Sequence, residues 1–301
     1  SSDLNLGTRG VATFNGVYGV VDHNWFNVPT GATGVSPDGD GTFSSNMWNY
    51  AWAPGTTNSL VVEDNVMDWL ATYANGAVDS YGGTVWTFRF NTVTNGGTGN
   101  HGTDSSGEKR STLGSEVYGN QLYANTDSYF YGFRGGSQLI FSNTITILSG
   151  GSGTTPNVQF AQYRNTGVDV FPENAPTPCC SPWGVVDGTN HWDGKTLTNG
   201  YPALDQIGRT GPTTYGATNT TQASFPSYIW ANTRAGVATN GAAVNSTRPA
   251  APWSYIDPQS EMIKINRDYY LDTAKPGYTP LVYPHPFVSG LSASATGNGK
   301  R

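Results

Sequence analysis

Residues 134–146 read RGGSQLIFSNTIT, and the pattern around Asn143 recurs along the chain. Four other segments align with it on one asparagine: VVDHNWF (20–26), VVEDNVM (61–67), TFRFNTV (87–93) and EVYGNQL (116–122). In all five, an apolar residue stands three positions before the asparagine and another stands two positions after it. Two further segments, YIWANTR (228–234) and IKINRDY (263–269), keep the first apolar position but carry Arg234 and Asp268 at the second.

The spacing of these asparagines predicts a stack of similar chain units. Successive asparagines are 41, 26, 29 and 23 residues apart, and the last two gaps are 89 and 34. Each unit, which we call a coil, would bury its inward side chains against the next coil through parallel strands. Asparagine tolerates a left-handed backbone and can hydrogen-bond along a ladder of identical side chains, so we expect it at a bend. By strand alternation, the residue three before it points inward and those two and four before it point outward.

Composition supports an all-β protein and excludes several partners. The 301 residues include 39 Gly and 18 Pro, 13% are aromatic, and short runs of strand-forming residues end at Gly, Asn or Pro. The net charge is −6 without a basic stripe, so no nucleic-acid partner is expected. No apolar run approaches the roughly 20 residues that would span a bilayer. The low charge and the high Asn, Thr and Gly content favour an extracellular or cell-surface location.

With these coils, the sequence resembles the bacterial right-handed parallel β-helix proteins of the pectate-lyase-like superfamily. RGGSQLIFSNTIT carries the resemblance most clearly, and it covers most of residues 1–150. It returns in GYPALDQIGRT (200–210) and NRDYYLDTAKPGYTPLVYPHPF (266–287). The resemblance implies an all-β right-handed parallel β-helix, a solenoid with long lateral loop insertions, and it implies little about activity.

We therefore predict one β-helix domain over residues 1–301. Regular coils occupy about residues 10–150, with residues 27–58 as an insertion between the first two. A longer loop insertion occupies about residues 150–226, and the last coils and an extended tail occupy about residues 227–301. The long insertion contains Cys179 and Cys180, which are either two thiols or a strained vicinal disulfide.

Charged residues on the outward positions form the first candidate site. Asp22, Glu63 and Arg89 each lie two positions before a repeated asparagine, so consecutive coils would make them neighbours. Asp64 lies at the bend. The run GVVDHNWF also resembles the V-W-I-D-H strand motif of pectate lyases, although their R-x-P-x-x-R motif is absent. By that resemblance, Asp22, Glu63 and Asp64 are candidate Ca²⁺ ligands, and the alternative is a ladder of solvated charges.

The second candidate site centres on HGTDSSGEKRS (101–111), which is rich in charge although only 12% of the chain is charged. This loop leads from the Asn91 coil into the Asn120 coil. A histidine between a carboxylate and an arginine can act as a general acid or base. The candidate catalytic residues, which we expect to converge on one patch, are His101, Asp104, Arg110, Glu116 and Arg134. The alternative is an ion-paired network that holds the loop.

Two functions follow from these observations. The first is interaction with an extracellular polysaccharide, with or without cleavage by a lyase or glycoside hydrolase mechanism. The second is a non-catalytic structural or adhesive module, such as a tailspike, a surface fibre or a filament subunit, in which coils self-associate as a homo-oligomer or stack end to end. Mutually paired charged residues would favour the second function, and a free groove around them would favour the first.

Overall fold

The computed structural model of the protein is almost entirely β-structure. It describes residues 3–5, 9–14, 17–28, 31–39, 48–101, 111–125, 130–148, 158–160, 205–212, 222–234, 237–238 and 263–289. Within these ranges the chain has one short α-helical turn, at residues 286–289. The all-β prediction is therefore confirmed.

The described residues contain the following strands, numbered in chain order: β1 (Asp3–Asn5), β2 (Arg9–Phe14), β3 (Gly19–Asp22), β4 (Trp25–Val28), β5 (Thr33–Asp38), β6 (Leu60–Glu63), β7 (Val66–Ser80), β8 (Val85–Arg89), β9 (Thr92–Asn100), β10 (Gly114–Tyr118), β11 (Gln121–Ala124), β12 (Tyr131–Phe133), β13 (Ser137–Phe141), β14 (Thr144–Ile147), β15 (Val158–Phe160), β16 (Arg209–Thr210), β17 (Ala223–Ser224), β18 (Ser227–Trp230), β19 (Thr233–Arg234), β20 (Val237–Ala238) and β21 (Tyr269–Leu271).

Most of these strands belong to two large sheets in which almost all pairs are parallel. The seven-stranded sheet has the order β21-β18-β13-β10-β8-β6-β3. The twelve-stranded sheet has the path β1-β4-β7-β9-β11-β14-β19-β20, and β2, β5, β12 and β15 pair beside it. Strands β16 and β17 form a small antiparallel pair. We predicted residues 27–58 as an insertion, but strand β5 lies inside this segment. The segment therefore contributes a strand to the sheet.

In the described part of the chain, six two-residue corners connect the two large sheets. At each corner, a strand of the seven-stranded sheet leads directly into a strand of the twelve-stranded sheet. The first corner residue has a positive φ of 54–68°, at His23, Asp64, Phe90, Gly119, Ser142 and Ala231. We expected the asparagine itself to take this left-handed conformation, but the residue before it does. The side chain of the asparagine is thereby left free to bond along the stack.

The second corner residue is the repeated asparagine, and six of them form a continuous ladder. The Nδ2 of each donates to the Oδ1 of the next at 2.9–3.1 Å, in the order Asn24, Asn65, Asn91, Asn120, Asn143 and Asn232. The same oxygens accept the backbone N–H of the preceding asparagine at 2.9–3.1 Å. The predicted ladder is confirmed for these six residues.

Asn266 lies outside the ladder, so the prediction of a seventh copy was wrong. Strand β21 pairs with β18 by aligning Tyr269 with Ser227, which places Asn266 before the strand rather than after it. Its backbone N–H donates to the carbonyl of Tyr269 at 2.7 Å, within a local turn. The sequence pattern of one apolar residue and one asparagine does not distinguish this turn from a corner.

The inward positions form the main core, as the alignment predicts. Those three before the asparagine contribute Val62, Phe88, Val117, Ile140 and Ile229, and those two after it contribute Phe26, Met67, Val93, Leu122 and Ile145. All of these are at most 1% exposed. The inward face is therefore one continuous apolar core.

The outward face of the seven-stranded sheet is also covered. Tyr118, Phe141 and Trp230 stack along it, with ring centroids 4.6 and 4.3 Å apart. Trp48, Trp52 and Tyr278, from elsewhere in the chain, pack against the same face. The predicted outward residues Glu63, Arg89, Glu116, Tyr118 and Phe141 meet protein rather than solvent, whereas Asp22 remains partly exposed.

The ladder should be a major source of stability. Replacing Asn120 by Ala removes donors to the carbonyls of Phe88 and Tyr118 and an acceptor for the backbone of Asn91. Each buried polar group that loses its hydrogen-bond partner costs about 1–3 kcal/mol. We therefore expect Asn120→Ala to lower the free energy of unfolding by about 3 kcal/mol or more in chemical denaturation. The exposed Asn27→Ala should change it by less than about 0.5 kcal/mol. Equal effects of the two substitutions would contradict this role.

Candidate functional site

Four polar side chains meet where parallel strands of the twelve-stranded sheet end. Asp38 is the last residue of β5 and lies opposite Tyr81, which follows β7. Ser80 of β7 aligns with Asn100 of β9, so Tyr81 lies beside His101. Gly99 of β9 aligns with Gly132 of β12, which places Arg134 on the other side of His101. Adjacent strands are about 4.8 Å apart. We call Asp38, Tyr81, His101 and Arg134 the strand-end row.

His101 is held between a carboxylate and a guanidinium. Its Nε2 is 3.0 Å from Asp79 Oδ2, and its Nδ1 is 3.3 Å from Arg134 Nη1. Arginine can only donate, so Nδ1 accepts, and neutral His101 carries its proton on Nε2 and donates it to Asp79. The side chains of His101 and Asp79 are partly exposed, at 26% and 19%.

Tyr81 and Asp38 extend the row. The Tyr81 hydroxyl donates to Asp38 Oδ2 at 2.8 Å, and the Ser36 hydroxyl donates to Asp38 Oδ1 at 3.1 Å. The Tyr81 ring meets the His101 ring edge-on, with centroids 6.1 Å apart. These contacts hold an ionisable hydroxyl beside the imidazole.

The backbone beneath the row is fixed by a buried asparagine. Asn100 Oδ1 accepts the backbone N–H of Arg134 at 2.7 Å, and Asn100 Nδ2 donates to the carbonyl of Gly135 at 2.9 Å. The backbone N–H of His101 donates to the carbonyl of Ser80 at 2.8 Å. The row is therefore built on strand ends whose relative positions are set by hydrogen bonds.

One carboxylate oxygen in this region has no hydrogen-bond partner among the described residues. Asp79 Oδ1 is buried and accepts no hydrogen bond from the described residues, whereas Asp79 Oδ2 contacts His101. An unsatisfied buried acceptor is uncommon and often marks a functional site. It is suited to a hydroxyl or N–H donor from a ligand.

The structure brings together two of the five predicted catalytic residues, His101 and Arg134. Asp104 and Arg110 lie outside the described residues, as do Cys179 and Cys180. Glu116 is buried elsewhere, where it accepts hydrogen bonds from Gly55 N at 2.9 Å and from the Tyr278 hydroxyl. The outward strand position predicted for Glu116 is thus correct, but the face is covered by other parts of the chain.

Sequence reasoning missed Asp79, Tyr81 and Asp38. The signal that could have found Tyr81 is a second repeat, YGGT (81–84) and RGGS (134–137), which follows the ends of β7 and β12. Gly83 and Gly136 have φ of 79° and 71°, so both turns require the same left-handed glycine. Aligning these turns places Tyr81 and Arg134 in corresponding positions.

The candidate Ca²⁺ ligands are engaged with protein groups. Asp22 Oδ2 is 2.8 Å from His23 Nδ1, and both oxygens of Asp64 are 3.0 Å from the Tyr283 hydroxyl. Glu63 accepts from Arg89 and from the backbone N–H of His285. The described residues contain no group of three or more His, Cys, Asp or Glu positioned to hold a metal ion. This arrangement does not fit a Ca²⁺ site, because the cation would have to displace Arg89 from Glu63.

Glu63 and Arg89 instead form a buried ion pair with no exposed side-chain surface. Arg89 Nε and Nη2 lie 2.6 and 2.5 Å from Glu63 Oε2, and Arg89 Nη1 donates to the Tyr118 hydroxyl at 2.9 Å. Burial alone would lower the pKa of Arg89, but Tyr118 and Glu63 raise it above its ordinary value. Arg89 is therefore a permanent cation in this face.

Burial also shifts the neighbouring acids of this face. It raises the pKa of Glu116 despite the hydrogen bonds from Tyr278 and Gly55, and it raises the pKa of Tyr118 to about 12 despite the nearby Arg89. These shifts arise from packing within the protein.

Comparison with family models, with curated proteins and with solved structures finds no match for this chain. Among the described residues, no helix is long and apolar enough to cross a membrane.

Removing one member of the buried ion pair should be costly. Arg89→Leu leaves Glu63 uncompensated, so we expect the free energy of unfolding to fall by about 3–5 kcal/mol, measured by chemical denaturation. The double variant Glu63→Leu/Arg89→Leu removes both charges and should recover a substantial part of that loss. A double variant as unstable as Arg89→Leu would show that the cost is lost packing rather than an unpaired charge.

Proposed function

We propose that the chain is a right-handed parallel β-helix. In-register parallel pairing of successive coils, the asparagine ladder and the resemblance of its coils to the pectate-lyase-like superfamily support this fold. The right hand follows the general preference of connections between parallel strands. The outward faces of such a stack offer long, straight surfaces on which strand ends align.

We further propose that the protein is extracellular or located at the cell surface, and that it binds and cleaves a polysaccharide at the strand-end row. The observation that carries this proposal is the position of His101 between Asp79 and Arg134. A histidine oriented by a carboxylate is suited to acid–base chemistry, and an arginine beside it is suited to a substrate anion.

The contacts favour a lyase over a hydrolase. Asp79 and Asp38 each accept a hydrogen bond from a neighbouring side chain, His101 and Tyr81, whereas a glycoside hydrolase generally needs two carboxyl groups free to flank the scissile bond. In an elimination, by contrast, the catalytic base is the imidazole and the carboxylate only orients it.

The elimination would proceed through two connected proton transfers, one to His101 and one from it. When the Arg134 guanidinium turns to bind a uronate carboxylate, it releases His101 Nδ1, which then accepts the proton alpha to that carboxyl group. The bond between the sugar carbon and the leaving oxygen breaks as a carbon–carbon double bond forms. Asp79 stabilises the imidazolium through Nε2–H, and the imidazolium returns its proton to the leaving oxygen, which balances the reaction.

A polysaccharide panel tests this function. We expect ultraviolet absorbance of unsaturated products from one or more uronate-containing polymers, and we expect His101→Ala and Arg134→Ala each to lower that rate by about 10²-fold or more. His23→Ala is the matched control, because His23 is also a histidine beside an aspartate but lies outside the row. Reducing-end release without absorbance would indicate a hydrolase, and no product with intact folding would refute cleavage.

The second candidate is a non-catalytic structural or adhesive module that associates with itself. It is favoured by the ion pair and hydrogen bonds that engage Glu63, Arg89 and Glu116 with the protein's own chain. No product on the panel, together with concentration-dependent self-association in sedimentation velocity, would support this candidate instead of the enzyme.

A further inference from the structure

The end of the described chain crosses the outward face of the seven-stranded sheet. We call residues 273–289 the strap. Arg89 Nη1 and Nη2 donate to the carbonyls of Leu281 and Val282 at 2.6 and 3.1 Å. Glu63 Oε1 accepts the backbone N–H of His285 at 2.8 Å. The buried ion pair thus holds the strap through its backbone.

Three further contacts fix the strap along its length. The hydroxyl of Tyr278 donates to Glu116, and that of Tyr283 donates to Asp64 at 3.0 Å. The Lys275 ammonium lies 4.5 Å from the centroid of the Phe225 ring. These contacts use tyrosine, carboxylate and lysine side chains, and none of these residue types has an ordinary pKa near neutral pH.

His285 is the exception, because its imidazole is buried and serves as an acceptor. The residue is 0% exposed, and its Nδ1 accepts the backbone N–H of Phe287 at 3.2 Å. Its backbone carbonyl accepts the N–H groups of Val288 and Ser289, which closes the helical turn at residues 286–289. Because Nδ1 accepts, the neutral ring carries its proton on Nε2, and that buried atom has no partner among the described residues.

Protonation of His285 is incompatible with this geometry. The added proton would sit on Nδ1 and face the N–H of Phe287, so the hydrogen bond would be lost and two donors would meet. The imidazolium would also lie in a fully buried position. The charged groups that face it are Glu63 on β6 and Asp22 on β3, which attract it, and Arg89 on β8, which repels it.

We propose that His285 is a pH-sensitive latch, whose protonation releases residues 281–289 of the strap from the seven-stranded sheet and exposes the Glu63–Arg89 pair. The rest of the fold stays closed, because the asparagine ladder contains no group that titrates near neutral pH.

The direction of the pH dependence follows from linkage. Burial lowers the pKa of docked His285 and outweighs the attraction of Glu63. The released segment therefore binds the proton more tightly, with an ordinary value of about 6.5. Docking is fully stabilised above about pH 6.5 and weakens as the pH falls toward the lowered value. Glu116 has the opposite effect on docking. Its pKa is raised in the docked state, so docking weakens as the pH rises above the ordinary pKa of a glutamate.

Hydrogen exchange of the whole chain, read by mass spectrometry, tests the latch. After correction for intrinsic exchange rates, protection of residues 281–289 should fall between about pH 7.5 and pH 5.5, by at most about tenfold, which is the limit that an ordinary pKa of about 6.5 in the released segment sets. Peptides from β10 and β11, at the ladder, should keep their protection. A wild-type strap with equal protection at both values would overturn the proposal.

Two variants separate His285 from the other titrating groups. His285→Asn keeps an acceptor near the position of Nδ1 and cannot be protonated, so the loss of protection at low pH should disappear. His23→Asn, at an exposed histidine, should leave it intact. If His285→Asn retained the wild-type change, the latch would be refuted. If it failed to fold, Tyr283→Phe would decide: we expect lower protection at both pH values with the same ratio between them as in the wild type, and loss of that ratio would refute the latch.

Discussion

The structure depends on a row of buried amide hydrogen bonds. Each ladder asparagine occupies a corner where two residues leave the strand pattern, and their polar groups would otherwise be buried without partners. Its side chain joins the next asparagine and the carbonyl of the neighbouring coil, as Asn91 does with Asn120 and Val62. A buried polar network is stabilising only when every member is satisfied, and here each member satisfies the next.

The ladder also sets the register of all the strands that leave it. Because every corner places its asparagine at the same height, residues at equal distances from it form columns along the stack. The apolar columns make the core, and the outward column runs from Asp22 through Glu63 and Arg89 to Tyr118 and Phe141. The strand-end row with His101 lies at the far ends of β7, β9 and β12, beyond two register shifts between β7 and β9, so the local strand pairing aligns it rather than the distance from the ladder.

The outward column shows how burial changes the role of charged residues. We predicted Glu63, Arg89 and Glu116 as surface charges, because their strand positions point away from the core. The prediction of direction was correct for all three. Their environment could not be predicted, since it depends on Trp52, Tyr278 and the strap, which reach this face from distant parts of the chain. Once covered, these charges must be paired, and they become anchors for the strap.

The sequence by itself determined the all-β class, the six ladder asparagines and the two apolar columns, because these depend on local alternation that repeats with every coil. It also selected His101 and Arg134, because their charge stands out in a chain with little charge. Only the tertiary structure decided that Asp79 and Tyr81, rather than Glu116, stand beside His101. The physical reason is that parallel pairing joins residues from different coils, and no local spacing encodes which strand ends will meet or which outward face the chain will return to cover.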